Sequence, residues 1–223
     1  MLAIYTFVFS VVFKSRWGGD QNESKTEFAI ILFAGMIVYN IFSEVVNRAP
    51  NLIITNANFV KKVVFPLEIL PWVDLGASLF HAAASLLVLL GVQLLFKATL
   101  PWTVLLLPLV ILPLIMFSIG LAWFLASIGV FVRDIGQITS VITTILMFLS
   151  ALFYPITALP PEYQSWLRFN PLVSIISQSR KVLVFALYPD WNEWTILFCI
   201  SLLVAYSGFW WFQKVRKGFA DVI

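Results

Sequence analysis

Side chains able to carry chemistry are sparse in this chain, and their spacing argues against catalysis. The single histidine, His81, and the single cysteine, Cys199, both fall inside long apolar runs. A metal site needs several ligands, so a lone helical histidine reads as a packing or hydrogen-bonding residue. One cysteine can close no internal disulfide and no multi-cysteine site. Glu68 and Asp74 flank the start of an apolar run. Asp74 is the acid best placed to couple a proton, but no partner acid or base stands deep in another run. No Gly-x-x-x-x-Gly-Lys-Ser/Thr sequence occurs, so this chain cradles no ATP phosphates in a P-loop. No catalytic residue, metal site or cofactor is therefore assigned to it. A membrane-embedded glycosyltransferase or phosphatase would need grouped acids or histidines. An ion-coupled secondary transporter would need inverted repeats and paired intramembrane acids. Neither pattern is visible.

The elements that position these residues are greasy. Of 223 residues, 61% are hydrophobic and 11% charged, and the mean hydropathy is +0.96, which leaves too little polar surface for a water-soluble protein. A hydrocarbon core of ~30 Å needs roughly 20 apolar residues per helical span. Spans are expected near 1–13, 28–46, 69–96, 103–132, 137–154 and 194–212. Lipid cannot hydrogen-bond a bare backbone, and the runs do not alternate as barrel strands do, so the fold class is all-α, one polytopic domain over 1–223. The run after Met1 is short for a crossing and lacks the basic start of a signal peptide, so the chain is expected to begin upstream. The net charge of +3 matches basic residues at lipid headgroups rather than nucleic acid, for which no soluble basic module exists. Basic residues divide evenly between the two sides. The dense clusters Lys61-Lys62 and Lys214–Lys217 share one side, taken as cytoplasmic.

Three segments interrupt the spans. Between the second and third, Asn51, Thr55, Asn58 and Lys62 recur at helical spacing, with Lys61 beside them and Leu52, Ile53, Phe59, Val60 and Val63 filling the rest of the wheel. Pro50 suits a first helical position. This predicts a surface helix over 49–65 with its polar face toward the cytoplasm, either a plain connector or a docking surface. In the run 103–132, Pro108 and Pro113 predict a kink. In 155–193, a short helix follows Leu159-Pro160-Pro161-Glu162, and a second opens at Asn170-Pro171. Arg180 and Lys181 stand mid-run there, each costing about 2.5–3.5 kcal/mol at a span centre, so the segment is read as re-entrant from the outer leaflet rather than crossing. Ser174, Ser177, Gln178 and Lys181 are expected on its wet face.

Aromatic residues make up 16% of the chain. Tyr5, Phe7, Phe9, Phe13 and Trp17 crowd the first span; Phe148, Phe153 and Tyr154 crowd the fifth. They read either as interfacial and lipid-facing rings or as aromatic faces around a passage along which sugar rings could slide.

Three stretches in this order resemble a known family: NANFVKKVVFPLEILP (56–71), VFVRDIGQITSVITTILMFLSALFYPITALP (130–160) and NPLVSIISQSRKVLV (170–184). They are similar to the polysaccharide-exporting ABC-2 permeases, the membrane subunits of O-antigen, capsule and teichoic-acid exporters. The resemblance implies a multi-pass subunit of the bacterial inner membrane, a homodimer paired with a separate ATPase that binds ATP and Mg. It implies that 49–65, with Asn51, Thr55, Asn58, Lys61 and Lys62, is the coupling helix that docks the ATPase. It implies gate helices over 159–188, with Ser174, Gln178, Arg180 and Lys181, and passage aromatics Tyr5, Phe9, Phe148, Phe153 and Tyr154. The substrate implied is a polysaccharide on undecaprenyl diphosphate, with the O-antigen exporters as the nearest branch. A permease for a small lipid or drug is the alternative within the same architecture. The family's N-terminal cytoplasmic amphipathic helix is missing here, so no residue for the lipid diphosphate is assigned.

Overall fold

Helix formation follows from the apolar runs, because every backbone polar group must be satisfied within the segment once water is excluded. The computed structural model describes residues 25–58, 65–97 and 100–222. Among them all the regular structure is helical, with no strand. In order, the helices are α1 (Lys25–Arg48), α2 (Leu52–Thr55), α3 (Leu70–Lys97), α4 (Leu107–Val110), α5 (Leu112–Phe131), α6 (Ile135–Leu149), α7 (Pro161–Arg168), α8 (Pro171–Leu183), α9 (Trp191–Val215) and α10 (Phe219–Val222).

Among the described residues, four helical lengths are long and apolar enough to cross a membrane: Thr26–Thr55, Leu67–Phe96, Trp102–Phe131 and Trp191–Gly218. At 1.5 Å per residue each runs for more than 40 Å, beyond the ~30 Å core. The expected first span lies outside the described residues. The expected fifth span, 137–154, is shorter in the structure. Helix α6 stops at Leu149, and Ala151 turns into the left-handed region at φ 50°. That conformation ends a helix. The expected kink in 103–132 is present as a break at Ile111, where α4 gives way to α5. Pro113 has no N–H to offer the Leu109 carbonyl, so the regular ladder cannot pass through it.

Contacts group the chain into two units. The first takes the described residues up to Tyr39 with Ala82–Ile111 and Ile145–Glu193; the second takes Asn40–His81, Leu112–Thr144 and the chain from Trp194 on. In the first, Ile30, Ala34, Ile37, Leu89, Leu107, Val110, Val182 and Leu183 form the apolar core. The last carbonyls of α8 are closed by side chains there: Thr103 Oγ1 donates to Val182 O (2.7 Å) and Gln93 Nε2 to Leu183 O (2.9 Å). In the second, Phe42, Ile53, Leu75, Leu114, Ile119 and Phe212 are fully buried. Helices α5 and α9 approach so closely that a Cβ on Gly120 would meet the backbone of Ala205 at 2.7 Å, and one on Gly208 would strike the Gly120 carbonyl. Small residues permit such approach where lipid gives no hydrophobic drive for helix association.

Candidate functional site

Two regions hold the residues singled out by sequence, one in each unit. In the second unit, α1 does not end where a separate surface helix was expected to begin. Arg48 and Asn51 keep right-handed helical backbone, and the turn Ala49–Asn51 merely tightens before α2. Pro50 sits in the second position of that turn, within the first few helical positions where a missing N–H leaves no bond unmade. The correction is one of continuity: up to Thr55 the described part of the segment continues the helix of the second span.

Burial orients this tail. Ala49, Pro50 and Ile53 are buried, while Asn51, Thr55 and Asn58 are exposed on the opposite face. Gly129 of α5 lies against Pro50, and a Cβ there would collide with the Pro50 carbonyl. Thr55 Oγ1 donates to Asn51 O (2.9 Å), and Asn56 Nδ2 donates to Leu52 O (2.8 Å), closing the last turn. Lys61 and Lys62 lie outside the described residues.

The tail is also braced by charge, a feature the sequence reading missed. Arg48 bonds Asp74 Oδ1 at 3.2 Å and stands 3.8 Å from Glu44, and Glu44 Oε2 lies 3.1 Å from His81 Nδ1. Asp74 therefore has a basic partner, contrary to the expectation of an isolated acid. The available signal was spacing: Glu44 and Arg48 are four apart on one helix, and Asp74 and His81 are seven apart on another. Nearby, Thr143 Oγ1 donates to Asn47 Oδ1 (3.0 Å), Trp123 Nε1 to Glu68 O (3.0 Å) and Arg216 Nη1 to Glu68 Oε2 (3.0 Å).

The first unit contains the segment expected to form a gate. It folds as two short helices, α7 and α8, neither long enough to cross. Asn170 caps α8 by accepting from Leu172 N (3.0 Å), with Pro171 following at the first helical position. The expected wet face is corrected. Ser174 and Gln178 are buried, Arg180 is buried with them, and Ser177 and Lys181 are partly exposed. Gln178 turns inward because the chain after α8 and the start of α9 need partners. Its Nε2 donates to Glu193 Oε2 (2.8 Å), and its Oε1 accepts from Asp190 N (2.9 Å).

Arg180 is a structural clamp. Its Nε donates to Ile31 O (3.1 Å), Nη1 to Ala151 O (3.0 Å) and Nη2 to Leu152 O (2.6 Å). A planar guanidinium fork is suited to several fixed acceptors at once. Asn170 Nδ2 reaches Leu149 O (3.3 Å), so the end of α6 is tied to both ends of α8. Gly35 makes room for the clamp, since a Cβ there would overlap the guanidinium.

The aromatics divide. The Phe148 and Phe153 rings lie 5.4 Å apart, and Tyr154 donates its hydroxyl to Phe148 O (2.9 Å). Phe148 is exposed but Phe153 is fully buried, so Phe153 offers no face to a passage, contrary to expectation. Tyr5 and Phe9 lie outside the described residues.

Long apolar helices and close glycine-mediated crossings, with a polar-faced helix tail, define a multi-pass helical membrane protein. More particularly, the chain belongs to the ABC-2 type transporter family, whose profile matches residues 1–184. It is 25% identical over 224 residues to the O-antigen export system permease protein RfbA of Myxococcus xanthus, an alignment covering 100% of this chain and 83% of the relative. It is 21% identical over 222 residues to the protein of the same name from Klebsiella pneumoniae, covering 99% and 82%. It is 27% identical over 191 residues to the polysialic acid transport protein KpsM of Escherichia coli, covering 81% and 70%.

Proposed function

We propose that the chain is the membrane permease of an ATP-driven exporter that moves a lipid-linked polysaccharide, of the O-antigen type, across the bacterial inner membrane. It works as a homodimer beside a separate ATPase. The observation that carries this reading is the end-to-end similarity to polysaccharide export permeases, 99–100% of this chain for those of Myxococcus and Klebsiella. The exposed Asn51, Thr55 and Asn58 are the docking face for the ATPase, extended by Lys61 and Lys62. The tail's continuity with α1 supports this role, because a push on a helix continuous with a span reaches that span. The saccharide rides on undecaprenyl diphosphate, and the α7–α8 segment gates its exit, held to the end of α6 by Arg180 and with Lys181 partly exposed. Phe148 and Tyr154, with Tyr5 and Phe9, supply rings along the path.

Deleting the gene tests the reading. Undecaprenyl-linked saccharide should accumulate inside the cell and disappear from its surface. Unchanged surface polymer, with a small lipid or drug retained instead, would favour a permease of the same architecture for that cargo.

A further inference from the structure

The exposed faces of the long helices differ in kind. Those of α3 and α9 are apolar, with Phe80, Leu87 and Leu95 on the first and Leu203, Tyr206 and Trp210 on the second. Such faces suit lipid. The helix containing α1 is the most buried of the four, and over Asn40–Arg48 what it leaves accessible is polar: Asn40, Ser43, Glu44, Asn47 and Arg48. Their spacing of three and four places them on one stripe. On helix α6 the exposed Gln137, Ser140 and Thr144 form a polar stripe beside the exposed Ile138, Val141 and Ile145. The Thr143–Asn47 hydrogen bond holds the two helices so that these stripes adjoin. A polar stripe on a span faces a protein interior or a water-filled space, not hydrocarbon.

The charge of this face is also fixed. Arg48 is engaged by both Glu44 and Asp74, and Glu44 also meets His81. Two carboxylates, Glu44 and Asp74, face one guanidinium here. Around them stand amides and hydroxyls, groups that exchange hydrogen bonds with sugar hydroxyls. A polyanion passing here would meet like charge, and Arg48 is already occupied.

We infer that this face is the wall past which the saccharide moves, and that its charge selects an uncharged, hydroxyl-rich chain over a polyanionic one. The inference rests on the export reading above. Two measurements test it. In membranes from cells expressing the permease with its ATPase, Asn40→Cys and Ser140→Cys are made singly in a Cys199→Ser background. They are then treated with trimethylammonium and sulfonate methanethiosulfonates, with rates divided by those for free cysteine. The cation-to-anion ratio should exceed the solution value by about tenfold, as expected for a cleft lined by one sign of charge. Silence toward both reagents, or a ratio at or below the solution value, overturns the wall and its charge. Second, the polymer accumulating in the deletion strain is analysed for uronate, sialate and phosphate along its repeat. A neutral repeat is expected, and an acidic one overturns the selection. No accumulated polymer at all would instead overturn the export reading.

Discussion

At the scale of single residues, Arg180 shows how a charge can serve a structure with no part in chemistry. Its guanidinium supplies donors to three carbonyls from two other segments, at the place where α6 ends and Ala151 adopts a strained backbone. Removing it strands buried acceptors, each worth about 1–3 kcal/mol. Arg180→Ala should lower the melting temperature of the purified protein sharply or abolish its yield. Arg180→Lys should recover less than half of the loss, because an ammonium is a point donor and cannot reproduce the fork. Wild-type melting of the alanine variant would contradict the clamp. Thr143→Val removes the hydroxyl shared between Asn47 Oδ1 and Ser140 O and should cost about 1 kcal/mol, read in the same assay. The basic centre of this segment was visible in the sequence as a reason not to cross. Its inward direction was not, because the acceptors come from Ile31, Ala151 and Leu152, which no local pattern connects to position 180.

Among the elements, glycines set how closely helices meet. Gly120→Leu or Gly208→Leu would drive a side chain into the backbone of the facing helix, and overpacking of this kind costs about 1–3 kcal/mol or more. Both should lower thermal stability, whereas Gly76→Ala and Gly91→Ala, where nothing lies within 4 Å of the new Cβ, should not. Equal behaviour of the two pairs would refute the packing account. The long helices were legible as apolar runs, and the break at Ile111 followed from Pro113. The early end of α6 was not legible, since the hydrophobic run continues through Leu152 and Phe153 while the helix does not. Helix termination there depends on Arg180 and Asn170, far along the chain. Likewise, periodicity separated the exposed Asn51, Thr55 and Asn58 from the buried Ile53, but it could not show that this tail is continuous with α1.

For the whole molecule, the account has a permease without its own ATP site driven through the tail that follows α1. Thr55→Arg and Asn58→Arg alter exposed positions and should leave folding intact while weakening capture of the ATPase by about tenfold or more, the equivalent of 1.4 kcal/mol. The measurement closest to the central claim is surface polymer in cells that keep this permease but carry an ATPase unable to hydrolyse ATP. The account predicts that lipid-linked saccharide stays on the cytoplasmic side and none reaches the surface. Polymer on the surface of those cells would contradict it.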